Sequence, residues 1–360
     1  MNGNSRPDIR SLTKLDLEHF FLNQGEKKFR VNQVYDWLWK KASRSFEDMT
    51  SLSKVTRQLL QQNFSFHTAI CENLQQSVDG TVKAVFRLYD GSVIEGVVIP
   101  AGDRITVCIS SQVGCALDCK FCATGKMGFT RNLTTGEIFD QVTLMSEMGF
   151  QSPNPQSRIS NIVFMGMGEP FMNYDNMVGA IEKITSPDGL GMSPQRITVS
   201  SVGIPKMVIK MADDDPRYHF ALSLHAATDE KRNMIIPFNL RHPLQDLTES
   251  LKYYQKKTGK RFTIEYILFG NFNDSIADAR DLATFCKSFP VKINIIEYNP
   301  VEGSGFSKSD PDRTRAFVEF LERRNLVINV RQSRGKDILA ACGQLAAKQL
   351  QPKSKQLLKT

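Results

Sequence analysis

The sequence predicts an α/β fold built on a parallel sheet covered by helices, and three observations point there. From about residue 104 onward, short runs rich in Ile, Val, Phe and Leu alternate with longer segments of helical period. The alternation gives six β/α repeats, a rhythm foreign to a β-sandwich or a helical bundle. The residues with chemical potential fall mostly at the carboxyl ends of the short runs, where ligands collect on such sheets.

The strand candidates are RITVCIS at 104–110, NIVFMG at 161–166, RITVSS at 196–201, HFALSLHA at 219–226, RFTIEYILF at 261–269 and VKINIIEYN at 291–299. Between them lie helical patterns such as TTGEIFDQVTLMSEM, where Thr134 and Glu137 are spaced for a capping box, and RTRAFVEFLERR. A last apolar run, LVINVRQS at 326–333, precedes RGKDILAACGQLAA, and the Pro- and Ser-rich stretch at 151–158 reads as a loop. Periodicity alone leaves the sheet either open or curled into a partial barrel.

Ahead of this core, LEHFFLNQG, FRVNQVYDWLWKKA and SLSKVTRQLLQQNF read as helices. Val31, Val34, Trp37 and Leu38 share a helical spacing beside Arg30, Lys40 and Lys41. Near residue 81 the period falls to two, and TVKAVFRLYDGSVIEGVVIP joins two alternating segments through Asp90-Gly91, a hairpin signal. The expected divisions are a helical domain at 1–75, a hairpin linker at 76–103, the barrel at 104–300 and a C-terminal segment at 301–360.

Apolar residues at 41% and charged residues at 23% exclude a disordered chain. No stretch reaches the roughly 20 apolar residues of a membrane span, and the start MNGNSRPDIR lacks the apolar run of a signal peptide, so a cytoplasmic protein without a membrane partner is expected. Lys and Arg outnumber Asp and Glu by 46 to 38, a net charge of +8 that favours phosphate backbones or merely solvates the surface. The seven cysteines are irregularly spaced, unlike a secreted disulfide framework.

Three of them, Cys115, Cys119 and Cys122, form C-x3-C-x2-C in CALDCKFC. Soft thiolates favour an iron-sulfur cluster or zinc. A plain helical face is the remaining reading, opposed by the bracketing Gly114 and Gly125 and by polar Asp118 and Lys120. In a cubane cluster, three thiolates leave one iron open to an outside ligand. Downstream, GMGEP carries Gly168, which permits close backbone approach, and Glu169, an exposed strand-end carboxylate suited to an ammonium; alone it is equally a turn.

The cysteine spacing, with aromatic Phe121 before the third cysteine, resembles the radical-SAM superfamily. A dispersed set of segments narrows this: QVYDWLW, VIEGVVIP, CISSQVGCALDCKFCATGKMGF, MGMGEP, LSLHA, EYNP and RGKDILAACGQL. Together they resemble the RlmN/Cfr family of radical-SAM rRNA adenine methyltransferases over most of the chain. The resemblance implies a partial (β/α)6 radical-SAM barrel with a small N-terminal helical domain and a short β-hairpin extension. It implies a [4Fe-4S] cluster on Cys115, Cys119 and Cys122, and S-adenosyl-L-methionine (AdoMet) contacted by Phe121, Gly168, Glu169, Ser200, Ser223, His225 and Asn299.

In such a family Cys342 receives a methyl group from one AdoMet, and a radical from a second AdoMet activates that methyl for addition to an adenine. Cys108 then releases the RNA by forming a disulfide with Cys342, and Glu95 handles the adenine proton. The implied activity converts adenosine to 2-methyladenosine at position 2503 of 23S rRNA and position 37 of tRNA. Alternatives are Cfr-like methylation of C8 and a non-enzymatic RNA-binding iron-sulfur protein. The implied partners are 23S rRNA, tRNA and a flavodoxin-like or other low-potential electron donor, with the chain a monomer.

Read singly, these residues have ordinary explanations: Cys108 and Cys342 as inert buried thiols, Glu95 as a hairpin surface group, Ser200 on turn backbone, His225 in the core and Asn299 starting a turn before Pro300. Candidate RNA contacts are the basic clusters Lys27-Lys28 with Arg30, Lys40-Lys41, Lys256-Lys257, Lys260-Arg261 and Arg323-Arg324, with Tyr35, Trp37, Trp39 or Phe129 against bases.

Overall fold

The computed structural model describes residues 6–148 and 158–346. The chain begins with three helices, α1 (Lys14–Asn23), α2 (Phe29–Tyr35) and α3 (Lys54–Asn63). A capping box between Thr13 and Asp16 starts α1, and α2 runs on into a π-helical turn at Asp36–Lys40. Val31, Val34 and Leu38 turn inward as their spacing requires. The module is fastened to the rest by two buried contacts. Trp39 meets Phe139 edge to face at 5.2 Å, and the Arg10 guanidinium donates to Asp140 at 2.5 Å and to the His67 carbonyl at 2.6 Å.

Four antiparallel strands follow: β1 (Ile70–Gln76), β2 (Val82–Arg87), β3 (Val93–Ala101) and β4 (Arg104–Cys108). The Asp90-Gly91 turn forms with Gly91 at φ +82°, a conformation glycine adopts without strain, and the Leu88 amide donates to the Ser92 carbonyl at 2.8 Å. After β4 come a two-stranded ribbon, β5 (Gln112–Gly114) with β6 (Phe129–Asn132), and the short helix α4 (Ala123–Lys126) between them.

The β/α alternation then runs α5 (Thr135–Glu147), β7 (Asn161–Phe164), α6 (Tyr174–Thr185), β8 (Ile197–Ser201), α7 (Pro205–Asp213) and β9 (His219–Ser223). It continues through α8 (Asp229–Ile235), α9 (Leu244–Thr258), β10 (Phe262–Leu268), α10 (Ile276–Cys286), β11 (Val291–Glu297), α11 (Pro311–Glu322) and β12 (Val327–Arg331). The Thr134–Glu137 capping box is present on α5, and Gly259 ends α9 in the left-handed conformation.

One ten-stranded sheet contains everything except the ribbon, in the order β1-β2-β3-β4-β7-β8-β9-β10-β11-β12. From β4 to β12 each pairing is parallel. The six predicted strands of the expected partial barrel are in place. Two strands depart from the sequence reading. LVINVRQS becomes a seventh parallel strand, and β1 occupies the end of the segment assigned to helices. The hairpin does not stand apart from the barrel: β3 pairs antiparallel with β4, so the same sheet runs through both. The expected loop at 151–158 lies outside the described residues except for Arg158.

Most of the apolar core lies between sheet and helices. A second, smaller cluster of Leu117, Phe121, Ile267, Phe269 and Tyr298 sits under the cysteine loop at the carboxyl ends of the strands.

Candidate active site

Cys115, Cys119 and Cys122 follow the ribbon strand β5, on a loop that backbone geometry folds tightly. Gly114 has φ +74°, and a Cβ there would lie 1.8 Å from the Gly128 carbonyl oxygen; Gly125 packs against the Cys119 backbone with a virtual Cβ contact of 3.0 Å. The Cys115 amide donates to the Gly128 carbonyl at 2.8 Å and the Lys120 amide to that of Ile235 at 2.9 Å, tying the loop to the residue before β6 and to α8. All three cysteines line one cavity. Burial raises the Cys115 thiol to about 12 and the Cys119 thiol well above its ordinary value, and each is raised more by its neighbours' charge. Such thiols ionise when a metal takes the proton's place.

The same cavity is walled by Phe121, Gly168, Glu169, Ser200, Ser223 and His225. Gly168 is indispensable to the wall: at φ +97°, a Cβ would stand 2.5 Å from Cβ of Gln112. Glu169 differs from the expectation, being buried instead of exposed. Its two carboxylate oxygens accept from the amides of Phe171 at 3.0 Å and Val202 at 3.1 Å, while burial raises its pKa. A carboxylate has about four acceptor sites, so each oxygen retains capacity toward the cavity. The Ser200 and Ser223 hydroxyls meet at 2.9 Å.

His225 is held at φ +58° and accepts the Ile267 amide on Nδ1 at 3.1 Å, which leaves Nε2 to carry the proton of the neutral ring. Burial, then the nearby Arg232 charge, lowers its pKa to about 3, so it is neutral throughout the physiological range. Its ring stands edge to face with Phe121 at 4.9 Å.

Cys108, the last residue of β4, lines a second cavity together with Arg331, Met165 and Cys342. Cys342 lines both cavities. It is an exposed residue, yet the surface it offers is cavity wall, and the surrounding protein raises its thiol by desolvation. Burial, then Cys342, also raises Cys108, while Arg331 favours the thiolate of each. All seven cysteines are free, so the disulfide expected between Cys108 and Cys342 is not formed in this structure; the fold brings the two residues to one cavity.

The Cys342 segment is anchored on both sides. The Ala123 amide donates to the Gly343 carbonyl at 2.7 Å, and Thr124 Oγ1 donates to that of Leu345 at 2.6 Å. Glu95 and Asn299 stand off the cavity walls and hold this segment from behind. Glu95 is buried on β3, where Oε2 accepts the Ala346 amide at 3.0 Å and Oε1 pairs with Lys83 at 3.4 Å. Asn299 Nδ2 reaches the Cys342 carbonyl at 3.5 Å, and its buried Oδ1 has no partner among the described residues.

Among the wall residues that sequence reading missed are Met165, Glu265 and Arg331. Glu265 had a signal, a carboxylate inside the apolar strand FTIEYIL; it is buried, accepts from Asn294 at 2.7 Å and pairs with Arg331 at 3.4 Å.

Among the described residues, no group of three His, Cys, Asp or Glu side chains is gathered as a site for a metal ion. The donor chemistry nevertheless fits an iron-sulfur cluster: three soft sulfurs from one loop, sharing one cavity with a buried carboxylate and neutral hydrogen-bonding groups.

A partial barrel with a three-cysteine loop at the carboxyl ends of its strands defines the radical-SAM class of enzymes. Comparison with known proteins agrees. Residues 109–283 match the radical SAM superfamily, and residues 8–65 match the ribosomal RNA large subunit methyltransferase N-terminal domain. The chain is 51% identical over 346 residues to a probable dual-specificity RNA methyltransferase RlmN of Christiangramia forsetii, covering 95% of this chain and 97% of the relative. It is 42% identical over 351 residues to a dual-specificity RNA methyltransferase RlmN of Nitratidesulfovibrio vulgaris, covering 96% of each. A crystal structure of a radical SAM methyltransferase from Sphaerobacter thermophilus superposes with a TM-score of 0.88 at 36% identity, covering 95% of this chain and all of that one. The chain belongs to the RlmN family of dual-specificity RNA methyltransferases. No helix among the described residues is long and apolar enough to cross a membrane.

Proposed function

We propose that this protein converts adenosine to 2-methyladenosine in large-subunit ribosomal RNA and in tRNA, with Cys342 as the methyl carrier. One observation carries the reading: Cys342 belongs at once to the cavity walled by Cys115, Cys119 and Cys122 and to the cavity that contains Cys108. When bound, a [4Fe-4S] cluster on those three cysteines supplies a low-potential electron, and AdoMet supplies the methyl group and the radical.

The chain's own residues bind, orient and exchange protons. Glu169 offers its remaining acceptor sites to the cofactor ammonium, with the Gly168 backbone beside it. Ser200, Ser223 and His225 supply hydroxyl and N–H groups for ribose, carboxylate or adenine edges, and Phe121 supplies an apolar face. Asn299 fixes the Cys342 carbonyl and keeps Oδ1 free for a donor. Cys342 carries the methyl carbon and, briefly, the RNA attached to it.

Cys108, as thiolate, attacks the Cys342 sulfur and breaks its bond to the RNA-borne carbon, which leaves with the bonding electron pair and takes up a proton to become the methyl group, while the disulfide formed is reopened by an external reductant. Glu95 is the proposed base for the adenine proton, which requires its bond to the Ala346 amide to yield. A flavodoxin-like protein or another low-potential donor is the proposed electron source, and the helices at the N-terminus are the proposed RNA-facing module. The test is an anaerobic assay with reconstituted cluster, AdoMet, reductant and RNA, followed by nucleoside analysis. Methyl on C2 supports the assignment; methyl on C8, or none, overturns it.

A further inference from the structure

Strand directions place a second surface on the side where the cavity opens. The parallel strands open at their carboxyl ends, β4 at Cys108. Because β3 runs antiparallel with Val97 opposite Cys108, its start at Val93 projects beyond that level. Arg87 of β2 pairs with Val93, and Ile70 of β1 with Arg87, so the β2–β3 turn and the residues preceding β1 extend past the mouth.

On that projection Tyr89 stacks on His67 with ring centroids 3.6 Å apart and planes within 11°. The Tyr89 residue stays 56% exposed, so only one ring face is covered. The turn is braced toward the cysteine loop: Arg131 of β6 donates to Asp90 at 2.6 Å, and exposed Phe129 of the same strand pairs with Gly114, next to Cys115. On its other flank, His67 lines a groove between the N-terminal helices and helices α5 and α6. Tyr35, Trp39, Arg10 and Lys183 also line it, and Lys14 and Lys183 both lie about 5 Å from the Tyr35 ring. Trp39 Nε1 has no hydrogen-bond partner among the described residues, and Arg10 Nε faces the Asp8 carboxylate at 3.8 Å.

We propose that the exposed face of Tyr89, backed by His67, stacks a nucleobase flanking the target adenosine, and that the adjoining groove guides the RNA strand across the N-terminal helices. The inference rests on the RNA-methylating reading above and names the surface that positions the substrate. Unpaired bases stack on aromatic rings whatever their sequence, and cations beside aromatics suit an RNA backbone. Tyr89 is a positioning residue in this scheme.

The test uses the full-length protein and a fluorescently labelled single-stranded RNA containing the target adenosine, with affinity read by anisotropy and stacking by quenching of 2-aminopurine next to the target. Tyr89→Ala is expected to weaken binding about ten-fold, within the range for losing one base-aromatic stack, and to abolish the quenching. Tyr89→Phe should retain both. Unchanged thermal melting and AdoMet binding in Tyr89→Ala separate this from a folding defect. If Tyr89→Ala binds and quenches like the parent, the platform is overturned while RNA methylation stands; if the parent itself fails to bind RNA, both fall.

Discussion

Cys108 and Cys342 face the same cavity although one ends the first parallel strand and the other lies beyond the last. Replacing Cys342 with Ala is therefore expected to remove protein-bound methyl and product together. Cys108→Ala should still accept methyl but accumulate an RNA crosslinked to the protein. Denaturing gels and peptide mass spectrometry distinguish the outcomes, and full turnover by either variant would sink the assignment.

Glu169 keeps its backbone bonds through one oxygen each, so Glu169→Gln preserves an acceptor while removing the charge and turning one oxygen into a donor. A hydrogen bond to a charged group contributes about 1.5–3 kcal/mol. AdoMet affinity should drop by about ten-fold or more, measured by equilibrium binding to the reconstituted protein, with little change in the cluster spectrum. Equal affinity would remove Glu169 from the cofactor site.

Gly168→Ala places a Cβ against Gln112 at a left-handed φ. Strain of this kind costs about 1–3 kcal/mol. A lower melting temperature is expected, along with weaker AdoMet binding, because the Glu169 amide donates to the same Gln112 side chain at 2.8 Å.

Asp79 and Asp337 lock the Cys342-bearing segment to the β1–β2 turn. Asp79 accepts the Gly335 amide at 3.0 Å and the Thr81 amide at 2.9 Å, while Asp337 accepts from the Ser77 hydroxyl at 2.5 Å and the Val78 amide at 3.2 Å. Partial burial pushes Asp79 upward, but these hydrogen bonds outweigh it and hold its pKa at about 2, below the ordinary 3.8. A depressed carboxylate stabilises the fold above its unfolded value and loses that contribution as pH falls through its folded one. Hydrogen exchange at Gly335 should therefore accelerate, relative to the intrinsic rate, as pH falls from about 4 to 2. In Asp79→Ala the faster exchange should already be present at neutral pH.

Glu95→Gln tests whether that carboxylate is base or fastener. As base, the variant should methylate Cys342 normally yet stall with RNA attached; as fastener alone, it should release product at the parental rate. Peptide and nucleoside mass spectrometry on one reaction read both.

The sequence by itself determined the barrel's repeats, the cysteine loop and the glycine at 168. Each of these is local: a period, a spacing, or a backbone angle that one residue type adopts at low cost. Only the tertiary structure decided that β1 to β3 continue the barrel's sheet, that LVINVRQS is its seventh parallel strand, and that Glu169 is buried on two amides. It alone set Glu265 and Arg331 beside the cysteines and drew Cys342 back to Cys108. Strand pairing and chain return are contacts between distant segments, chosen by packing and hydrogen-bond satisfaction over the whole sheet, and no window of sequence carries them.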